Sequence, residues 1–361
     1  MSNTLFNYTF PAVRGTQAGR PCYITMCQMR IIPKIFIFNE EEVPVELRAQ
    51  RILNSSRVPE MSSYLVDNPL TYTLSSITAS ISDRVKFTPA EDTGLGQNIG
   101  TLSIPMDAQI LINDGQHRRA AIQKAILENP ELGYDNISVL FFIDEGLKRS
   151  QQMFADLNKH AVRPSDSIST LYDIREALSD LARYTQKNVY IFSRMTEMEK
   201  SSISNRSTKL FTLSSIKNAC KTLLKKKNKE TITDAEKEQV VEYWNEVSVN
   251  MLDWQLALQK KVATSELREQ NIHSHGVMLQ AMGNIGLDLL KENQPDWKQK
   301  LKKLQKIDWA RANPDWEGRA MNNGRISKSL INVVLTGNYI KMKLDVPLNA
   351  YETKHEQEYR L

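Results

Sequence analysis

The chain has 361 residues, of which 25% are charged and 41% hydrophobic, and its formal net charge is +5. That length allows two domains with sizeable cores, and that balance is ordinary for a soluble globular protein. No apolar run approaches the length of a membrane span, and the opening "MSNTLFNYTFPAVRG" lacks the basic-then-apolar pattern of a secretory signal, so the expectation is a cytoplasmic protein with no membrane partner.

Taken in chain order, residues 20–38 ("RPCYITMCQMRIIPKIFIF") are rich in β-branched and aromatic residues around Pro33 and predict two strands or one bent strand. Residues 40–53 begin acidic and continue with helix formers, which predicts a helix. "VPEMSSYLVDNPL" predicts a short helix ending near Asn68 and Pro69. Residues 71–87 and 102–112 supply further strand material, joined by the Gly-rich "AEDTGLGQNIGT", and "ISVLFFI" at 137–143 reads as a buried strand. The glycine loop has no strand–helix context, so it is a connection and not a dinucleotide fingerprint. Past about residue 145, helical spacing takes over, through 166–186, 213–227, 233–262 and 264–293. The closing "NAYETKHEQEYRL" reads as a polar tail. The expected fold is an α/β or α+β domain over 1–165, followed by a mostly α-helical domain over 166–361.

Cys22, Cys27 and Cys220 are too few, and odd in number, for a disulfide framework. With no histidine near the first two, they read as buried or incidental thiols, and no metal site is expected from them.

Charge is distributed unevenly. Residues 183–229 hold twelve Lys or Arg against Glu197 and Glu199, and residues 291–343 hold twelve against five acids. Such asymmetry points to nucleic acid, with solvated helix faces as the plain alternative. The candidate DNA contacts are Arg206, Lys209, Lys217, Lys221, Lys225, Lys226 and Lys227 in the first stretch, and Arg325 and Lys328 in the second. "TLSSIKNACKTLL" has the length of a recognition helix, although no helix-turn-helix is evident. Trp297, Trp309 and Trp316 recur among these lysines as expected core anchors.

The sharpest local signal is "LINDGQHRRAAIQKAI". A strand runs into Asn113, Asp114 and Gly115, and Gln116, His117, Arg118 and Arg119 then crowd the first turn of a helix. Cations are disfavoured there unless an anion sits among them. Asp114 is expected to cap the helix, and Gly115 to let backbone approach a ligand. Arg118 shares a face with Ile122 and Ala125, and His117 stands ready to donate a hydrogen bond. The pattern predicts a phosphate, from a nucleotide or from DNA; surface ion pairing is the competing reading.

"DGQHR", Asp114 to Arg118, is the signature of the DGQHR-domain family, and with "FADLNKHAVRPSDSIS" downstream the chain resembles the DndB family. That resemblance implies a place in bacterial DNA phosphorothioation, as a negative regulator (repressor) of the modification operon that binds near its promoter. DGQHR domains are similar in turn to the ParB/sulfiredoxin fold. Gly115, Arg118 and Ala121 match the ParB phosphate stretch, with Gln116 and His117 in place of its Glu and first Arg. Gly115, His117 and Arg118 match the sulfiredoxin motif, whose catalytic cysteine position is Gln116 here, which removes that chemistry. In the ParB Glu-Asn box, Asn158 matches, but Leu157 stands for the acid, Asp156 precedes it and the Arg is displaced to Arg163. Arg51 or Arg57 would supply an early phosphate-contacting arginine.

The resemblance thus implies two functions: a non-enzymatic DNA-binding regulator, or a nucleotide-binding or hydrolysing accessory protein using ATP or CTP with Mg. A scaffold for the other sulfur-modification proteins is a third, and a homodimer fits any of them. No Ser/His/Asp arrangement, zinc cluster or Walker loop is present to favour an enzyme.

Overall fold

In the computed structural model the described residues are 6–36, 57–144, 149–159, 164–227, 230–291 and 296–360. The chain divides into two compact units, Met1–Val162 and Arg163–Leu361. The helix expected over 40–53, and with it Arg51, lies outside the described residues, as does Arg163.

The first unit is built on a seven-stranded mixed sheet. Its strands are β1 (Asn7–Gln17), β2 (Arg20–Gln28), β3 (Ile77–Ile81), β4 (Lys86–Pro89), β5 (Ile99–Pro105), β6 (Ile110–Asp114) and β7 (Asn136–Ile143), in the order β4-β5-β1-β2-β7-β3-β6. Only the β3–β7 pairing is parallel. β3 is buried along its whole length, as expected of a strand covered on both faces. One face packs under α1 (Ile32–Ile35), α2 (Arg57–Asp67) and α3 (Gln116–Glu128), around Phe36, Leu65, Ile77, Ile122, Ala125 and Phe141. Full burial of each large side chain there contributes about 1.5–3 kcal/mol. Ser80 on the other face meets Met153 of α4 (Ser150–Lys159).

Two expectations are corrected here. Pro33 does not interrupt a strand; it starts α1, where its fixed φ suits a first helical turn. Asp114 does not cap α3. Gly115 is the N-cap residue and no side chain caps it, because the Asp114 carboxylate turns to Arg118 instead.

The second unit is helical. Its elements are α5 (Asp166–Tyr172), α6 (Ala177–Asn188), α7 (Tyr190–Met195), α8 (Leu213–Leu224), α9 (Asp234–Asn250), α10 (Leu252–Leu258), α11 (Thr264–Gln270), α12 (Gly276–Lys291), α13 (Trp297–Leu301), α14 (Leu330–Lys343) and α15 (Ala350–Arg360). Two short strand pairs accompany them. A capping box at Thr233 and Glu236 starts α9. The core is aromatic: Trp309 and Trp316 stack at 5.5 Å, and Phe192, Phe211, Trp244 and Trp254 form edge and tilted contacts. Buried His273 sits in this chain, accepting from Trp254 Nε1 (3.1 Å) and donating to Asp253 (2.8 Å). Trp309 and Trp316 are buried and Trp297 packs against the same core.

The polar-tail expectation for 349–361 is overturned. α15 docks, with Glu352 and Glu356 buried. Glu356 receives both ends of Arg319 (2.6 and 2.8 Å), and Glu352 receives Lys341 (2.5 Å), whose ammonium also meets Asp288.

Candidate functional site

The opening turn of α3 is shaped by one residue. Gly115 has φ +109°, a left-handed conformation that costs an L-residue energy. A Cβ at that position would lie 3.0 Å from Ile77 Cγ1 and 3.2 Å from two guanidinium nitrogens of Arg118. The glycine therefore lets the chain turn from β6 into α3 and leaves room for Arg118 to fold back over the turn.

Arg118 Nη2 donates to the Ser76 carbonyl (3.0 Å) and to the Asp114 carboxylate. Its Nε is buried without a hydrogen-bond partner, and so is Gln116 Oε1. Such atoms carry a desolvation cost of roughly 1–3 kcal/mol each. Burial, then the charges of Arg57 and Arg118, hold the His117 imidazole below its ordinary pKa, against a smaller opposing pull from Asp114. Arg57, at the start of α2, is thus electrostatically part of this cluster.

Arg119 stands apart. Its guanidinium donates to the carbonyls of Phe36 (2.8 Å) and Pro33 (3.3 Å) and to Gln123 (3.0 Å), tying the end of α1 to α3. Asn158 lies in α4, its side chain outside the described residues. Asp156, in the same helix, is exposed and bonded to Gln152 (2.7 Å). Among the described residues no three His, Cys, Asp or Glu side chains group as metal ligands.

A cavity of about 580 Å³ lies between α4 and the sheet, with Arg20, Thr78, Phe142, Arg149 and Asp156 in its wall. Thr78 is the register partner of Asp114, but no residue of the motif lines this cavity. Beside Thr78 the ladder bulges, and buried Asn113 bonds Ser80 (2.6 Å) while its Oδ1 is unpartnered. No sequence motif marks the cavity, because its residues come from four separated segments.

The candidate DNA contacts divide into two groups. Lys217 is tied to Glu176, Lys226 to Glu236 (3.0 Å), and Lys209 to the Arg194 carbonyl (2.7 Å). Arg206, Lys221, Lys225, Lys227, Arg325 and Lys328 are exposed. α8 is amphipathic. Leu213, Ile216, Ala219, Cys220 and Leu223 are buried where the helix packs among α5, α6 and α12, and Asn218 and Lys221 lie on its exposed side. Arg325 follows the Asn323–Gly324 turn of the 321–326 hairpin, both of whose turn residues have positive φ.

A family model described as DndB, DNA-sulfur modification-associated, matches residues 10–347. The chain belongs to the DndB family. No curated protein and no solved structure matches it. Membership associates the chain with DNA sulfur modification and covers both units. No helix among the described residues is long and apolar enough to cross a membrane.

Proposed function

We propose that this DndB-family chain is a DNA-binding regulator of the sulfur-modification operon, with a first unit of ParB/sulfiredoxin type. The observation that carries the reading is the set of exposed cations on the helical unit. Arg206, Lys225, Lys227, Arg325 and Lys328 are exposed and have no carboxylate partner among the described residues. Side chains of this kind neutralise backbone phosphates, release counterions and give salt-dependent affinity. The Asp114–Arg119 turn holds a phosphate in this reading, through the start of α3 and Arg118.

A nucleotide reading has its own support in the buried, unpartnered Nε–H of Arg118 at the start of α3. That donor fits a phosphate oxygen of ATP or CTP. No hydrolytic step is assigned.

The test is a binding series on the operon promoter and a scrambled duplex at rising salt, with and without ATP or CTP. The regulator reading expects promoter binding at least about a hundredfold tighter than scrambled. Equal affinity for the two overturns it, and phosphate release that needs Arg118 moves the function to the accessory nucleotidase.

A further inference from the structure

A second cavity, of about 480 Å³, lies wholly within the helical unit. Its wall carries Arg268, Arg311 and Lys328 against one acid, Glu269, and it meets the start of α12 at Gly276. Arg268 directs its donors to main-chain carbonyls of Ser204 (3.0 Å), Ser207 (3.2 Å) and Lys209. Arg311 does the same with Glu269 (3.1 Å) and Gly324 (2.8 Å). Both keep their charge while fastening loops. Among the described residues none of the three cations has a carboxylate within ion-pair distance.

Lys328 is the informative one. A Cβ on Gly276 would meet its Nζ at 3.0 Å and Ser215 Oγ at 2.8 Å. The ammonium therefore stands on the first residue of a sixteen-residue helix. A cation there opposes the helix dipole and also faces two like charges, unless an anion lies between them. The glycine keeps that space open, and the Ser215 hydroxyl borders it. His275 Nε2 donates to the Arg268 carbonyl (2.9 Å), which leaves Nδ1 as an acceptor for a ligand hydroxyl.

We propose that this cavity binds the phosphate group of a small molecule, held by Lys328, Arg311, Ser215 and the amides of Gly276 and Val277 at the start of α12, the next two amides being taken by the His275 carbonyl. The volume suits a ligand of mononucleotide size. A dianion matches three unneutralised cations better than a carboxylate does. The site is separate from the Asp114–Arg119 turn and stands whether or not the chain is a regulator.

The test is calorimetric titration of the full chain with inorganic phosphate and with a 5′-nucleoside monophosphate, against chloride at matched ionic strength. It is run in the wild type and in an Arg118→Ala background that silences the motif turn. Expected is binding that persists in Arg118→Ala and weakens at least about tenfold on adding Lys328→Gln or Gly276→Ala. Lys328 is exposed, so its replacement leaves the fold intact. Tighter binding of the ester than of inorganic phosphate identifies an organic phosphate as the source, and equal binding identifies free phosphate. Binding that vanishes in Arg118→Ala, or that ignores Lys328→Gln, overturns the cavity and leaves the motif turn standing. Loss of duplex binding in Lys328→Gln, with no uptake of either phosphate, overturns it too and makes Lys328 a DNA contact.

Discussion

Two arginine–carboxylate pairs, one in each unit, show how the same chemistry serves different ends. In the helical unit, both side chains of Arg319–Glu356 are 6% exposed, the contact is two-pronged, and a third bond goes to the Leu335 carbonyl (2.8 Å). In the sheet unit, Arg118 is 16% and Asp114 45% exposed, only Nη2 makes the contact, and Nε is buried without a partner. A guanidinium offers five donors in a fixed fork. Arg319 aims its fork at one buried carboxylate and fastens α15 to the unit. Arg118 keeps part of its fork unused beside a helix start, which is what an anion site requires. Burial and saturation separate a fastener from a receptor where sequence alone shows only an arginine and an acid.

The largest effect expected from this contrast is at the saturated pair. Arg319→Ala takes the two-pronged cationic partner from buried Glu356, and should cost about 3–5 kcal/mol in denaturant unfolding of the helical unit. Lys341→Ala should cost a similar amount, since it strands Glu352 and Asp288. Replacing Arg319 and Glu356 together by Met and Leu should recover most of the loss. A cost below about 1 kcal/mol for Arg319→Ala would place it with surface pairs and dissolve the contrast.

A pH dependence comes next, from the cavity of the helical unit. Burial pushes the His275 imidazole down to about 4, with Arg311 and Lys328 adding to the effect. Above its unfolded pKa, near 6.5, the ring is neutral in both states and contributes nothing. Below that, the unfolded chain takes up a proton that the folded one refuses, so stability falls as pH drops from about 6.5 to about 4. The loss should reach at most about 3 kcal/mol. Melting of His275→Gln over the same range should be flatter, and an unchanged pH profile in that variant would assign the slope to other groups.

The same contrast explains what was legible beforehand. The 57–67 helix, the 137–143 strand and the buried tryptophans follow from local pattern, because apolar spacing and Pro69 act over a few residues. The closing helix does not, because Glu352 and Glu356 are buried only by virtue of Lys341 and Arg319. Read singly, each glutamate belongs in solvent. At the motif, Gly115 and the crowding of cations are local and were visible. The turn of Asp114 toward Arg118 and away from the cap is tertiary, as is Arg119's hold on Phe36. The Lys328 cavity draws its wall from residues spread between 201 and 328, beyond any motif.

At the partly exposed pair, the effect on stability should be smaller. Arg118→Ala removes one half-exposed ion pair and one carbonyl bond, about 1 kcal/mol together. Its phosphate affinity should fall about ten- to a hundredfold, and Lys should rescue it poorly because it cannot fork. Melting and binding measured on the same variant decide the matter. A loss of several kcal/mol, with affinity unchanged in the folded fraction, would make Arg118 a fastener like Arg319.

The smallest stability effect belongs to the exposed lysines after α8. Lys225 and Lys227 are exposed, whereas Lys226 is tied to Glu236, which also closes the capping box of α9. Reversing Lys225 and Lys227 to Glu, with Lys226 kept, should therefore change stability by no more than about 0.5 kcal/mol. If both lysines neutralise phosphates, binding should weaken alike on promoter and scrambled duplex, because such contacts carry no sequence information. The slope of log affinity against log salt should shrink by about 1.8, roughly 0.9 for each phosphate lost. An unchanged slope would show these two to be solvated helix-end residues and would leave Arg206, Arg325 and Lys328 as the cations that meet the duplex. A drop on the promoter alone would be a different result, because it would mean that the lysines position a sequence-reading element instead of adding charge.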